Sequence, residues 1–179
     1  QTCALPIFYS SAGVLYYYPA GTNRITGTTT MSSGTWYHIA LCRSGTSTKL
    51  FLNGVQEGST YTDTLNYVVG ANRPMIASNG FGSGTSSWLN GRISNLRMLK
   101  GTALYTSNFT PPAVPLSSIA NTSLLLSAMS GAYLADASTN GYYPAAASGS
   151  PAWNSSSPFI VTGYKNRVYT WTTSGTITF

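Results

Sequence analysis

Acidic side chains are nearly missing from this chain: Glu57, Asp63 and Asp136 are all it has, against nine Lys and Arg and a single histidine, His38. Most hydrolytic and group-transfer chemistry needs a paired acid and base, an activated nucleophile, or a metal held by carboxylate or imidazole. Few of those parts are present, so catalysis ranks behind binding, and zinc has too few ligands. His38 is the one side chain whose ordinary pKa lies near neutrality. A catalytic role would need a nucleophile and an orienting carboxylate that the spacing does not identify, so it reads as a strand histidine hydrogen-bonded across a sheet.

Cysteine is scarce as well. Cys3 and Cys42 are the only two, and Cys42 sits in an apolar run where a free thiol behaves as a small hydrophobe, so no disulfide is expected. No apolar stretch approaches the roughly 20 residues that span a bilayer, so no membrane insertion is expected. Charged residues are only 7% of the chain, and its net charge of +6 reflects missing acids more than accumulated bases. Arg24, Arg43, Lys49, Arg73, Arg92, Arg97, Lys100, Lys165 and Arg167 stand without a basic run or basic helix, which argues against a nucleic-acid partner. Helix signals are absent too: no segment keeps an i, i+3, i+4, i+7 apolar period over three turns.

What the chain has is Ser, Thr, Gly, Asn and Tyr, with 42% hydrophobic and 13% aromatic residues, enough to exclude disorder. Its 179 residues allow one domain with a real core, or one domain and a fragment. Short β runs bounded by turn residues recur. Residues 13–18, 36–42 (the strongest), 49–52, 67–71, 75–77, 91–98 and 124–126 read as strands. Asn53-Gly54 after Leu52 is the preferred pair for a two-residue type I′ hairpin. Imperfect alternation near Asn95 suggests a bulge. Residues 78–87 read as a Gly/Ser loop, 100–110 as irregular, and Pro111, Pro112 and Pro115 as an extended connector. Residues 168–172 and 176–179 look like a fresh hairpin around Ser174-Gly175. The expected fold is all-β, an antiparallel two-sheet sandwich.

Thr35 to Leu41, followed by Lys49 to Gly54, resembles the central hairpin of laminin-G-like, concanavalin-A-like jelly rolls, and Gly91 to Arg97 resembles a later strand of those domains. Lys100 to Pro112 (KGTALYTSNFTPP) is similar to a subgroup common in bacteriophage tail and other virion-surface proteins. Val168 to Phe179 resembles the opening of glycine-rich modules of phage tail proteins. Three segments follow. Residues 1–7 (QTCALPI) resemble a translated sequencing adapter and are set aside. Residues 8–158 are a jelly roll that lacks the family's first strands, ending in a small-residue segment. Residues 159–179 begin a further truncated β module. A sandwich short of its first strands would expose an open edge.

The resemblance implies binding of carbohydrate or protein, sometimes with calcium, at a virion surface or otherwise outside the cell. A surface glycan or host receptor and other virion proteins are the partners this implies. A structural decoration or spacer domain in a virion assembly is the alternative, and an accessory domain of a secreted glycan-active enzyme the third. Related glucanases carry their acids alternating on one strand, about 5–9.5 Å apart across the bond to be cut, and no such triplet exists here. The candidate ligand-binding residues are Tyr17, Asn72, Arg73 and Trp88, since sugars are held by flat rings with amides and Arg on their hydroxyls. Which of Tyr16, Tyr17 and Tyr18 faces the core stays open, and Trp36 and Trp88 suit a core equally well. Asp63 with Asn66, and Asp136 with Asn140, are weak calcium candidates; each reads first as an Asx-turn, in which the side chain bonds its own backbone.

Overall fold

The computed structural model describes residues 7–9, 12–67, 75–77, 89–127, 133–148, 151–159, 168–171 and 176–178. Among these the chain forms fourteen short strands and one three-residue 3-10 turn at Pro19–Gly21. Every strand pair is antiparallel. The all-β, antiparallel architecture read from the residue pattern is the one the chain adopts. It divides into two compact units, residues 1–70 with 102–111, and residues 71–101 with 112–179.

The first unit holds two three-stranded sheets. One contains β1 (Ile7–Tyr9), β2 (Leu15–Tyr17) and β3 (Ile25–Thr26). Ile7, the last residue of the segment set aside as foreign, pairs with Tyr17. The other contains β4 (Ile39–Ser44), β5 (Ser47–Leu52) and β6 (Val55–Thr62). Leu15, Tyr17, Ile25 and Met31 meet Leu50 and Leu52 in one apolar cluster, with Tyr37, Leu41 and Tyr61 packed at its margin. Tyr17 is 1% exposed, so Leu15 and Tyr17 face the core and Tyr16 faces away.

Alternation along β5 assigns its two faces. Thr48, Leu50 and Leu52 point into this cluster, whereas Lys49 and Phe51 point the other way, onto residues 102–111. Phe51 meets the Phe109 ring edge-on at 5.4 Å, and the Lys49 ammonium donates to the Thr106 carbonyl at 2.7 Å. The irregular 102–111 segment is therefore a cover for the outer face of the hairpin sheet. The turn from β5 to β6 has Asn53 at φ 49° and Gly54 at φ 81°, the two positive values the type I′ reading requires. The Phe109 N–H donates to the Gly54 carbonyl at 2.9 Å.

One difference concerns residues 36–38, expected in the strongest strand. The strand begins at Ile39. The His38 N–H donates to the Asn53 side-chain oxygen, and the Asn53 N–H to the His38 carbonyl, both at 2.8 Å. A turn side chain thus takes the place of a ladder partner.

The second unit contains β7 (Met75–Ile76), β8 (Arg92–Ile93), β9 (Leu96–Leu99), β10 (Thr122–Leu126), β11 (Ala145–Ser148), β12 (Pro151–Asn154), β13 (Val168–Trp171) and β14 (Thr176–Thr178). Between β8 and β9, Asn95 takes φ 54° and its side-chain oxygen accepts the Leu116 N–H at 3.1 Å, interrupting the run where a bulge was expected. Leu124, Leu125 and Leu126 are all buried, as expected of a short core strand. Among the described residues, the strands on either side of Ser174-Gly175 do not pair with each other as the expected hairpin would require. β13 lies between β12 and β8, while β14 lies between β11 and β7. Each strand finds its ladder in earlier segments, an option that proximity in sequence does not reveal. Residues 68–71, 78–87 and 172–175 lie outside the described residues.

Candidate functional site

The three carboxylates decide what chemistry the molecule can perform, and each is held inside its own hydrogen-bond shell. Glu57 stands opposite Leu50 on the core face of the hairpin sheet, 4% exposed. One oxygen accepts the Thr28 N–H at 2.5 Å and the Thr29 N–H at 3.0 Å; the other accepts the Thr29 hydroxyl at 2.6 Å. Burial alone would push its pKa up, but the bonds from Thr29 and Thr28 outweigh it and hold the group below its ordinary value. It is an ionised anchor that ties residues 28–29 to β6.

Asp63 is fully buried. The Leu65 N–H donates to Oδ1 at 3.0 Å, the bond of an Asx-turn. At Oδ2 the Tyr67 hydroxyl donates at 2.8 Å and the Thr48 hydroxyl at 3.3 Å, with the Arg43 guanidinium 3.7 Å away. Tyr17 has one hydroxyl proton, and its shorter bond goes to the Tyr67 oxygen at 2.9 Å, against 3.3 Å to Asp63. Burial, then Tyr67 and Asp63, raise the Tyr17 pKa, so this phenol stays protonated as a donor. Arg43 completes the shell by donating to the carbonyls of Asp63, Leu65 and Gly45 at 2.8, 2.7 and 3.0 Å.

Asp136 organises the second unit in the same manner. Oδ1 accepts the N–H groups of Leu125 and Ser138, both at 2.8 Å; Oδ2 accepts the Ser138 hydroxyl at 2.7 Å and the Tyr142 N–H at 3.1 Å. Burial raises its pKa, and these bonds, led by the Ser138 hydroxyl, override that and lower it. Calcium takes about six to eight oxygen ligands. Here the oxygens of Asp63 and Asp136 already face N–H and O–H donors, and the Asn140 amide donates to the Ser123 carbonyl at 2.9 Å. The two candidate pairs do not fit a cation; both aspartates make Asx-turns. Among the described residues, no three of His, Cys, Asp and Glu lie where one ion could reach them.

Two depressed carboxylate pKa values have a measurable consequence. A group whose folded-state pKa lies below its unfolded value contributes stability that is complete above the unfolded value and disappears as pH falls through the folded one. For Glu57 and Asp136 the loss therefore sets in near the ordinary values of 4.5 and 3.8 and continues below them. Urea midpoints measured from about pH 6 down to about pH 3 are expected to fall steadily, and Glu57→Gln is expected to flatten that acid limb while lowering the neutral-pH plateau.

His38 lies on the other face of the hairpin sheet from Glu57 and Asp63. Its ring meets Phe109 edge-on at 5.5 Å and Tyr105 at 6.3 Å, and those two rings stack on each other at 3.5 Å. Cys42 sits nearby under the same cover. Burial pushes its thiol up, partly offset by the N–H groups of Tyr105 and Leu104, which leaves it a poor nucleophile.

Of the residues expected to contact a ligand, Tyr17 lies in the core and bonds the Asp63 network. Asn72, Arg73 and Trp88 lie outside the described residues. Exposed aromatics stand elsewhere: Tyr142 and Tyr143 are 54% and 90% exposed, and Trp153 is partly so. The tyrosine pair went unremarked in the sequence, inside a stretch read as small residues, although an aromatic doublet after Asn140-Gly141 was a visible signal.

The described strands, all paired antiparallel, define an all-β protein. The model of the concanavalin A-like lectin/glucanases superfamily matches residues 5–104. The chain belongs to that superfamily. Comparison with curated proteins and with solved structures returns no match.

Proposed function

We propose that the protein is a non-catalytic carbohydrate-binding or adhesion module of a phage tail or other virion-surface protein, acting outside the cell. The state of its three carboxylates carries this proposal. The superfamily covers both lectins and glucanases, and only a glucanase needs a pair of carboxyl groups placed to act on the bond between sugars. One donates a proton and the other attacks or activates water. Glu57, Asp63 and Asp136 are each spent on internal donors. The virion setting is supported by the likeness of Lys100–Pro112 to tail-protein sequences, and other virion proteins are the second class of partner. The module works without a cofactor.

The test is an array of immobilised glycans probed with the whole chain, paired with a release assay for reducing sugar on the glycans it retains. Binding without release is the expected result. Retention of no glycan leaves a structural spacer in a virion assembly as the function. Steady release of sugar would overturn the non-catalytic assignment.

A further inference from the structure

The loop that Asp136 organises displays its tyrosines on a fixed backbone. Tyr142 is tied through its N–H to Asp136, Asn140 through its N–H to the Ser138 hydroxyl at 3.2 Å and through its amide to the Ser123 carbonyl. Gly141 at φ 60° turns the chain between them. The Ala137 N–H reaches the Leu125 carbonyl at 2.8 Å, so the loop's base is stitched to β10. Single exposed apolar residues are ordinary on protein surfaces. Two adjacent aromatics, one of them 90% exposed, on backbone held by a buried-strand anchor are a different matter. The ordering cost of the loop is already met by the fold, which is the condition under which a flat exposed ring binds well.

We propose that this loop is a sugar-binding site in which Tyr143 stacks against the apolar face of an uncharged pyranose, with Tyr142 flanking it. The site deepens the carbohydrate-binding reading above and rests on it. Its electrostatics select the ligand class. Residues 133–148 contain no Lys or Arg, and the one acid among them, Asp136, faces inward donors. Neutral hexoses and N-acetylhexosamines fit such a surface. Within this segment sialylated or sulfated sugars find no cation to offset the loss of their hydration.

The test is an NMR titration of the whole chain with neutral gluco-, manno-, galacto- and N-acetylglucosamine oligosaccharides, and with a sialylated one as the charged arm. For a neutral sugar, the amides of residues 141–143 are expected to shift. Tyr143→Ala is expected to weaken binding about tenfold or more, and Tyr143→Trp to preserve it. An unchanged amide spectrum elsewhere verifies that the variants fold. Sugar binding with shifts elsewhere and full affinity in Tyr143→Ala overturns this site and leaves the carbohydrate reading intact. Failure of every oligosaccharide overturns both. Preference for the sialylated sugar overturns the neutral class. Shifts at 141–143 that follow protein concentration alone assign the surface to a second copy of the chain and overturn the proposal.

Discussion

Asp63→Ala is expected to destabilise the first unit by about 3 kcal/mol or more, among the largest single effects in the protein. Removing a partner from a buried ion pair generally costs about 3–5 kcal/mol, because the remaining charge is stranded. Arg43 is part-exposed, at 34%, and can turn to water, which moves the charge contribution toward the low end. The larger cost falls on the donors. The Tyr67 and Thr48 hydroxyls and the Leu65 N–H lose their acceptor, and Tyr17 loses the relay that its bond to Tyr67 completes. An unsatisfied buried donor costs about 1–3 kcal/mol. Asp63→Asn keeps an acceptor oxygen in place and is expected to lose less than half as much. Urea unfolding followed by hydrogen exchange of the β4–β6 amides reads both variants. Equal midpoints for wild type and Asp63→Ala would show that the network bears no stability.

Those partners also mark where sequence stopped being informative. Asp63 was legible as an Asx-turn because Leu65 is two residues away; its bonds to Thr48 and Tyr17 join positions 15 and 46 residues distant, and no local pattern encodes them. The same division runs through the fold. Asn53-Gly54 was readable because turn chemistry acts within four residues, and the break at Asn95 because the alternation of one strand fails there. The ladder partners of β13 and β14 were not, because pairing register is fixed by distant strands and by which faces are left to bury. Tyr17 shows the limit at one position. Three consecutive tyrosines offer both faces of a strand the same chemistry, and only the apolar cluster on the opposing sheet decides between them. Tyr142 and Tyr143 were visible as an aromatic doublet, but nothing local says that Asp136 will reach six residues ahead to hold Tyr142.

Gly54→Ala is expected to be comparably severe, by a route that involves no lost side chain. At φ 81° a residue with a Cβ carries a left-handed penalty of about 1–2 kcal/mol. The added methyl would also run into the Phe109 carbonyl oxygen, with Pro111 Cδ at 3.0 Å beside it. Both obstacles belong to residues that cannot swing away, since the Phe109 N–H is bonded to Gly54 itself. Relief therefore requires residues 102–111 to lift off the sheet, giving up the Phe109 contacts with Phe51 and His38, the Lys49–Thr106 bond and the Gln56–Asn108 bond at 2.9 Å. The expected total is about 3–5 kcal/mol. Gly45→Ala separates the two contributions. Gly45 has φ 58° with nothing within 4 Å of the position of a new methyl, so it is expected to cost only the conformational penalty. Cys42 reports the lifting directly, because its thiol lies against the N–H groups of Tyr105 and Leu104 in the cover. In a Cys3→Ser background, thiol-reagent labelling of Cys42 is expected to be slow in wild type and Gly45→Ala and fast in Gly54→Ala. Equal labelling rates in all three would mean that the cover does not depend on the missing side chain at position 54.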